Sequence, residues 1–365
     1  MHSKVMIVIS DLELAGAQKV VAHLAANMDK AQTQISILVL SKARDTIIER
    51  QLRQQNIQLH FLNKPAGLHL PTFWKAAKYV HTYKPDVIHT HLNGWMYVFP
   101  AAWCRKIKIL HTIHSRAARQ EASGALRKLV TFLYHRKVMV PVAISDEIKS
   151  EATQVYRLGA EQVEMVYNPV DYRAFADTPK QQHDGVVFVN VARFSKVKNQ
   201  LFLIRAFAKA YESNSDIRLA MAGEGALLET AKELTRELGI ADAVEFLGNV
   251  ENVPQLLARC DVFVLPSIAE GLPISMLEAE ATGLPVIASR VGGIPDIFNG
   301  NGCLVEVNDE AGLVDAMLLL AKDEALRREM GQKSQSIAKT YAADAIAPQY
   351  EALYQKYRGE TKCVK

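Results

Sequence analysis

Two glutamates eight residues apart, Glu270 and Glu278, have the type and spacing for chemistry in this sequence of 365 residues. Glu270 lies in a Gly/Pro loop directly after an apolar run, and Pro273 is predicted to open the helix that carries Glu278. An acidic side chain beside exposed loop N–H groups can bind sugar hydroxyls, and a second one farther along can reach a ribose diol. Glu280 falls on a different face of that helix, where we expect it to be solvated.

Three cations lie within six residues at the end of another predicted strand: Arg193, Lys196 and Lys198. Recognition of a diphosphate needs a forked guanidinium and a compact ammonium near the amides of a helix end. A solvated basic turn is the alternative interpretation. Because the sequence contains no Asp-x-Asp, a metal-bound diphosphate is not indicated, and we predict neither a metal site nor a cofactor.

A glycine loop in the first half, residues 11–18, is a further candidate for anion binding. Gly16 lets the backbone approach a ligand closely and leaves free N–H groups at the start of the helix predicted over 19–27. The loop is not GxGxxG and therefore lacks the dinucleotide fingerprint. A simple turn glycine is the alternative interpretation.

The elements that must position these residues alternate along the whole chain. Short β-branched runs are separated by amphipathic stretches, which indicates parallel sheets covered by helices on both faces. The predicted strands of the first half are 5–10, 34–40, 87–90, 109–112 and 142–145. Those of the second half are 185–192, 217–222, 244–247, 262–266, 286–289 and 303–307.

This pattern predicts an α/β protein with two doubly wound Rossmann-like domains facing a central cleft. The polar segment 171–184 has no periodicity and is the predicted linker between an N-terminal domain, 1–170, and a C-terminal domain, 185–340. The segment 341–357 is apolar at helical spacing, and it either closes the second domain or packs on the first. Ligands of open parallel sheets bind beyond the carboxyl ends of strands, so the loops there should carry the chemistry.

Length and composition exclude several classes of protein. A hydrophobic fraction of 49% with 22% charged residues is that of a globular protein, and the length fits two domains. Only Val5–Ile9 is continuously apolar near the start, so we expect a buried strand there and no secretory signal. Four cysteines without CxxC spacing argue against zinc and disulfides. We therefore expect a cytoplasmic protein, or one peripheral at the inner face of the cell membrane.

The net charge of +4 hides an asymmetry between the two halves. Residues 1–175 contain 23 basic and 13 acidic residues, whereas the remainder contains 20 and 26. The segment 105–137 has nine basic residues and one acidic residue, and aromatic residues interleave with it. These aromatic residues are Trp95, Trp103, Phe132 and Tyr134. The first half is thus predicted to meet an anionic partner, either a membrane surface or an acceptor, with a plain solvated surface as the alternative.

At these residues the chain resembles the retaining glycosyltransferases of family 4, which have the GT-B architecture. Two glutamates eight residues apart in an EGLP…E context are the signature of that family, matched here by Glu270 and Glu278. Its other marks follow in order between residue 5 and about 355: Gly16-Ala17, Tyr167–Asp171, Arg193 with Lys198, and Gly292–Asp296. One departure is Ala15, where the family has glycine; the extra methyl either narrows access near the phosphate or is tolerated.

The resemblance implies a nucleotide-sugar donor site mostly in the second domain. Arg193 and Lys198 would bind the diphosphate, Glu270 the hydroxyls of the donor sugar, and Glu278 the ribose. Other residues that it implies at the donor are Gly16, Gly271, Leu272, Pro273 and Ile274, with Phe246 and Leu247 flanking the base. It also implies that the helix within 341–357 packs partly on the first domain.

His114, which follows the predicted strand 109–112, is the histidine that the resemblance implies at the donor sugar or the acceptor. A structural histidine at a strand end is the alternative. We expect His89 and His111 to belong to strand packing, and the role of His91 is left open.

The implied activity is retaining, metal-independent transfer of a sugar, with Glu270 positioning the sugar and no residue an obvious nucleophile. UDP is the expected nucleotide from the resemblance, and GDP is the alternative. The predicted acceptor is a lipid-linked or cell-surface glycan, as in polysaccharide, lipopolysaccharide or capsule biosynthesis. A soluble anionic acceptor and a sugar-nucleotide epimerase of similar architecture remain alternatives. A nucleic-acid partner is not expected, because the basic stretch carries no nucleic-acid motif.

Overall fold

The computed structural model describes residues 3–114 and 124–358, and the chain divides into two compact units. Unit 1 comprises residues 1–169 and 343–365, and unit 2 comprises residues 170–342. The middle of the predicted basic stretch 105–137 and Cys363 lie outside the described residues. In the part of the chain that is described, none of the helices has the length and apolar character needed to cross a membrane.

Unit 1 is built on a parallel sheet with strand order β3-β2-β1-β4-β5-β6-β7. Its strands are β1 (Ser3–Ile9), β2 (Thr33–Val39), β3 (Gln58–Phe61), β4 (Val87–His91), β5 (Lys108–Ile113), β6 (Met139–Ala143) and β7 (Glu164–Met165). Its helices include α1 (Gly16–Asn27), α2 (Ile47–Gln54), α3 (Leu70–Tyr83), α4 (Trp95–Arg105), α5 (Gly124–His135) and α6 (Asp146–Tyr156). The central strands are buried along almost their whole length, as expected for a sheet covered on both faces.

Unit 2 repeats the plan with a parallel sheet of order β10-β9-β8-β11-β12-β13. Its strands are β8 (Val186–Val191), β9 (Ile217–Ala222), β10 (Val244–Gly248), β11 (Val262–Leu265), β12 (Val286–Ser289) and β13 (Gly302–Val305). Its helices are α7 (Tyr172–Ala176), α8 (Gln200–Ser213), α9 (Leu228–Glu237), α10 (Val253–Ala258), α11 (Ile274–Ala281), α12 (Ile294–Ile297), α13 (Glu310–Lys322) and α14 (Glu324–Thr340). Leu203, Phe207 and Ala210 of α8, three and four residues apart, are buried in the core of this unit.

The predicted fold class, two doubly wound Rossmann-like domains, is confirmed. In each sheet the strand order reverses direction, between β1 and β4 in unit 1 and between β8 and β11 in unit 2. Two strands escaped the sequence analysis, β3 and β7. Both are short strands at the edges of the first sheet and neither has a buried residue, so they lack an apolar run.

The structure assigns the segments 171–184 and 341–357 to helices of different units. The predicted linker 171–184 contains α7, which forms because the Asp171 side chain accepts a hydrogen bond from the Ala174 N–H and Phe175 is buried. The last described helix, α15 (Ala343–Tyr357), belongs to unit 1, where it packs against α1 and β1. Its buried side chains Tyr350 and Tyr354 decide that position.

Candidate functional site

The loops after three neighbouring strands, β8, β11 and β12, meet at the carboxyl edge of the second sheet. The strand order places β8 next to β11 at the point where the order reverses, which is where open parallel sheets bind ligands. The backbone joins the first two loops, because the Ile268 N–H donates to the Val197 carbonyl at 2.8 Å. The Asn199 side-chain amide also donates to the Pro266 carbonyl at 3.2 Å.

Lys198 and Glu270 are in direct contact across these two loops. The Lys198 ammonium donates to Glu270 Oε1 at 2.6 Å, and the Glu270 side chain is only 8% exposed. A charge-assisted hydrogen bond of this length is roughly twice as strong as a neutral one. Two residues that the sequence predicts from separate motifs, one for phosphate and one for sugar, therefore lie side by side.

Arg193 and Lys196 occupy the same loop with their side chains exposed. Among the described residues, no ion pair involves the Arg193 guanidinium. This loop leaves a free guanidinium and a paired ammonium at one strand end, an arrangement that can bind two phosphate groups.

Gln200 supports this loop and was missed by the sequence analysis. Its buried side-chain amide donates to the Arg193 carbonyl at 2.9 Å, and its Oε1 accepts from the Ser195 N–H at 3.3 Å. Gln200, the first residue of α8, thereby fixes the loop backbone at Arg193 and at Ser195 through two hydrogen bonds. A glutamine at the start of an apolar helix was the only signal in the sequence.

The glycine-rich loop after β12 packs directly on the Glu270 loop. Gly292 has φ +60°, and a Cβ atom there would lie 2.2 Å from the Glu270 carbonyl oxygen. The Gly293 N–H also donates to the Gly271 carbonyl at 2.6 Å. Only glycine allows this approach, which fixes the backbone from which the Glu270 carboxylate projects.

The remaining donor-site candidates of unit 2 lie around the same edge. Gly271, Leu272, Pro273 and Ile274 are buried and form the loop that enters α11, and Glu278 is buried one turn further along. Phe246 and Leu247 are half-buried at the end of β10, and the Phe246 ring lies 6.1 Å from that of Phe194, next to Arg193.

The expectation that Glu280 is solvated is wrong. Glu280 is fully buried, and burial raises the pKa of its carboxyl well above the ordinary value. Its Oε1 accepts a hydrogen bond from the Asn301 side chain at 2.9 Å. The reason is that α11 packs against both α7 and α14, so it has no solvent face at this position.

In unit 1, Gly16 and His114 lie at the carboxyl edge of the first sheet. Gly16 is the exposed first residue of α1, and the loop before it is tied by Gln18, whose amide donates to Asp11 Oδ1 at 2.8 Å. His114 follows β5 and is half-buried. The preceding Ala15, half-buried, has no side-chain group that could cap the helix.

His114 forms a cluster with three histidines of the neighbouring strands, His89 and His91 on β4 and His111 on β5. His89 bonds to the Tyr354 hydroxyl at 2.8 Å and to the Thr112 hydroxyl at 2.7 Å, and His111 bonds to the Thr90 hydroxyl at 3.0 Å. These contacts agree with the expected strand packing of His89 and His111. Burial lowers the pKa of His114 to about 4, so its ring is neutral at physiological pH.

His91, whose role the sequence left open, hydrogen-bonds to His114. The Nδ1 atom of His91 is 2.7 Å from the Nε2 atom of His114. The other nitrogen of His91, Nε2, is buried and has no hydrogen-bond partner among the described residues. The tautomers of the two rings decide which of them donates in this contact.

The aromatic residues near the basic stretch divide into two groups. Trp95 and Tyr134 are buried and belong to the core, so they are not part of a surface. Trp103 and Phe132 are 41% and 44% exposed, and their rings stack at 5.8 Å. Within residues 3–114 and 124–358, no group of three or more His, Cys, Asp or Glu side chains is arranged to hold a metal ion.

Two protein families match this chain in consecutive segments. Residues 14–173 match Glycosyltransferase Family 4, and residues 173–337 match Glycosyl transferases group 1. Together these segments include the loops of both units described above.

Named relatives agree with these matches. N-acetyl-alpha-D-glucosaminyl L-malate synthase of Bacillus anthracis is 31% identical over 290 residues, 74% of each chain. The UDP-Gal:alpha-D-GlcNAc-diphosphoundecaprenol alpha-1,3-galactosyltransferase of Escherichia coli is 25% identical over 67% of this chain and 68% of that one. A crystal structure of Anabaena HepE in complex with UDP and glucose is similar in fold, with a TM-score of 0.84 and 19% identity over 97% of this chain and all of that one.

Proposed function

The chain belongs to glycosyltransferase family 4, glycosyl transferases group 1, and from that premise we propose that it is a retaining enzyme using a UDP-sugar. The acceptor is a lipid-linked or cell-surface glycan at the cytoplasmic face of the membrane. The observation that carries the proposal is the contact of Lys198 with Glu270, beside Arg193, at the point where the second sheet reverses its strand order.

The chemistry follows from the charges at this edge. Breaking the bond between the anomeric carbon and the diphosphate leaves the electron pair on a phosphate oxygen, so negative charge develops on the nucleotide. Arg193 and Lys198 are fixed cations next to that position, and preorganised charge of this kind stabilises a developing anion. Glu270 accepts hydrogen bonds from the sugar hydroxyls and orients the ring. With these cations in place, we propose that the reaction needs no divalent metal.

The neutral ring of His114 supplies a further polar group from the first unit. The neutral ring has one N–H donor and one acceptor nitrogen, so His114 can form a hydrogen bond to a hydroxyl of the donor sugar or of the acceptor. Gly16, exposed at the start of α1, presents backbone N–H groups to the donor. Glu278 binds the ribose, and Phe246 with Leu247 flanks the base.

The lipid-linked acceptor rests on two supports. The Escherichia coli relative is named for an acceptor that carries diphosphoundecaprenol, a lipid. The first half of this chain has 23 basic against 13 acidic residues, which suits the anionic surface of a membrane that holds such lipids.

A soluble anionic acceptor is the second candidate, and one observation favours it. The Bacillus anthracis relative is named for L-malate, which is a small dianion, and it is 31% identical. The same basic first half suits this acceptor as well.

A thermal-shift screen of UDP- and GDP-sugars with the full-length chain tests the donor. A ligand at one hundred times its Kd stabilises the folded state by about 2.7 kcal/mol, so the matching donor raises the melting temperature. Turnover is then measured as release of the nucleoside diphosphate with a lipid-linked glycan, with malate, and without acceptor. An epimerase releases no nucleoside diphosphate in any arm, and stabilisation by no nucleotide sugar would refute the donor assignment.

A further inference from the structure

Three neighbouring helices of unit 1, α3, α4 and α5, carry basic side chains and no acidic ones. None of the three helices contains Asp or Glu. The whole stretch from residue 51 to 145 contains 14 basic residues and two acidic ones, Asp86 and Glu121. Basic side chains exposed on or directly after these helices are Lys75, Lys78, Lys84, Arg105, Lys106, Arg127, Lys128, Arg136 and Lys137. We call this surface the cationic face.

The cationic face is continuous because α4 links the other two helices. Helix α3 packs along α4, and the Arg105 guanidinium of α4 hydrogen-bonds to the His81 ring of α3. On the other side, the stacked rings of Trp103 and Phe132 join α4 to α5.

The end of α3 where the chain enters it exposes large apolar side chains. Leu68 is 70% exposed, Leu70 68% and Trp74 80%. Leu70, Trp74 and Lys78 are spaced four residues apart, so they form one stripe along α3 that runs from apolar to basic. Such a group of exposed apolar residues on a globular protein marks an interaction site.

The loop that carries Leu68 and Leu70 is anchored to the unit beneath it. The His69 N–H donates to the hydroxyl of Tyr97, a buried residue of α4, at 3.3 Å. The Phe73 ring lies 4.6 Å from the Tyr97 ring, and the Lys64 ammonium lies over the Tyr97 ring at 5.5 Å from its centroid. Leu68, Leu70 and Trp74 are therefore held outward by inward-facing neighbours.

The loop that carries Leu68 and Leu70 also lies at the carboxyl edge of the sheet of unit 1. It follows the carboxyl end of β3, while Gly16 follows β1 and His114 follows β5, all in one parallel sheet. Parallel strands end at the same edge, so the exposed apolar group and the candidate site residues of unit 1 are on the same side of the sheet.

We propose that the cationic face docks this protein on an anionic lipid surface, with Leu68, Leu70 and Trp74 inserted at the level of the headgroups. Amphipathic helices with lysines beside tryptophan and leucine lie in that interface. The lysines keep their ammonium groups at the phosphates while their stems cover apolar surface. The inference rests on the proposed function in one respect, since a lipid-linked acceptor would be reached from the same surface.

Other partners fit this face less well. A second copy packed face to face would bring two acid-free surfaces together, and the like charges would repel. A nucleic acid would be met by stacking aromatic side chains and basic groups, whereas two of the three most exposed apolar residues here are leucines.

Co-sedimentation of the full-length chain with vesicles tests the proposal. We expect binding to equimolar phosphatidylcholine and phosphatidylglycerol, weaker binding as salt is raised, and no binding to phosphatidylcholine alone. Leu70→Ser/Trp74→Ser should abolish binding, and Lys75→Glu/Lys78→Glu should lower the partition coefficient by at least about fivefold per lysine, which corresponds to ~1 kcal/mol each.

Substitutions of the same kind on the surface of unit 2 serve as matched controls. Leu319→Ser removes a leucine that is 47% exposed on α13, and Lys322→Glu/Lys339→Glu makes the same charge change on other exposed lysines. Both controls should bind vesicles like the parent. In a Trp103→Phe background, the fluorescence emission of Trp74 should shift to shorter wavelength on anionic vesicles. Trp95 is buried, so its emission should stay unchanged.

Several results would overturn the proposal. They are equal binding to both vesicle types, binding to neither, or unchanged binding of Leu70→Ser/Trp74→Ser. If the parent were a dimer in solution and this variant a monomer, the face would be assigned to contact with a second copy. If the parent bound RNA and this variant did not, the face would be assigned to nucleic acid. Stabilisation by UDP should be unchanged in every variant, so failure here is distinct from failure of the donor assignment.

Discussion

The two cations of the candidate site differ in what surrounds them. Lys198 is held by Glu270 at 2.6 Å, whereas Arg193 projects from an exposed position with its backbone fixed by Gln200. The charge of Lys198 is thus partly neutralised by the carboxylate, and Arg193 brings the uncompensated positive charge. We infer that Lys198 couples the sugar to the diphosphate, while Arg193 acts mainly on the phosphates.

We predict that Arg193→Ala and Lys198→Ala each lower kcat by roughly 100- to 1,000-fold, the loss seen when one preorganised donor to a developing anion is removed. Lys196→Ala, an equally exposed cation of the same loop, is the matched control and should be nearly silent. Release of the nucleoside diphosphate is the measurement. Melting temperatures must stay close to that of the parent for the comparison to hold.

The same assay with excess EDTA tests the absence of a metal requirement. We expect activity to survive chelation because the fixed cations stabilise the leaving group. Activity abolished by EDTA and restored by a divalent ion would contradict this expectation. A strongly impaired Lys196→Ala variant would mean that the wrong lysine was assigned.

Replacement by glutamine should lower turnover at Glu270 but leave it unchanged at Glu280. Glu270→Gln removes the charge that holds Lys198 and orients the sugar, so turnover should fall while the fold is retained. Glu280 is buried with a raised pKa, so it is already uncharged in the folded state and glutamine can still accept from Asn301. Turnover of Glu280→Gln should match that of the parent.

The pH dependence of the melting temperature tests the protonation state of Glu280 independently of turnover. The unfolded chain releases the Glu280 proton as the pH rises through the ordinary value of 4.5, while the folded chain keeps it. The contribution of Glu280 to the free energy of unfolding therefore falls as the pH rises above 4.5 toward the raised folded pKa, and Glu280→Gln lacks this contribution. The melting temperature of the variant minus that of the parent should grow with pH, and a constant difference would refute the buried neutral carboxyl.

At the scale of elements, β4, β5 and α15 form a buried polar layer around four histidines. Burial lowers the pKa of His89 and of His111 to about 3, and that of His114 to about 4. Tyr354 of α15 closes this layer through its contact with His89. The last helix thus packs on His89, which lies beside His91, the hydrogen-bond partner of His114.

The histidine layer predicts a loss of stability in acid. As the pH falls below 6.5 the unfolded chain binds protons on these rings and the folded chain does not, so the free energy of unfolding falls until about pH 3, where the folded chain also binds them. His91→Phe removes one such ring and a hydrogen bond to another. Its melting temperature should therefore fall less steeply than that of the parent between pH 6.5 and 4, and an equal or steeper fall would contradict the assignment.

At the scale of the whole chain, unit 2 starts and ends at one place. The Val170 N–H donates to the Tyr341 carbonyl at 2.9 Å, and Val170 pairs with Ala342 in an isolated bridge. The unit has its own sheet and its own hydrophobic core. A fragment with adjacent ends and a complete core is expected to fold alone.

We predict that the fragment 170–342 unfolds cooperatively and is stabilised by UDP, since the residues assigned to the diphosphate and ribose all lie within it. Circular dichroism establishes the fold, and thermal shift with UDP measures binding. The same fragment with Arg193→Ala is the control and should lose most of the shift. A folded fragment whose melting temperature does not rise with UDP would show that unit 1 supplies essential contacts to the donor.

Much of this protein follows from the sequence by itself, because the signals involved are local. Apolar runs alternating with helical periodicity predict both doubly wound sheets. Of the thirteen strands in residues 3–114 and 124–358, eleven are found, all but the short edge strands β3 and β7. Position after a strand predicts which loops share an edge, and the resemblance implies that Lys198 and Glu270 both serve the donor. This works because parallel strands end on one side of a sheet, whatever the rest of the chain does.

Only the tertiary structure decided which polar and aromatic side chains face water. Glu280 is buried because α14, some fifty residues later, covers the side of α11 that local periodicity assigns to solvent. Trp95 and Tyr134 are buried while Trp74 is 80% exposed, although the three lie in helices of similar composition. Gln200 acts through carbonyls that the loop folds back toward it. Burial is the sum of contacts with segments distant in sequence, and for that reason the spacing of residues along one helix does not determine it.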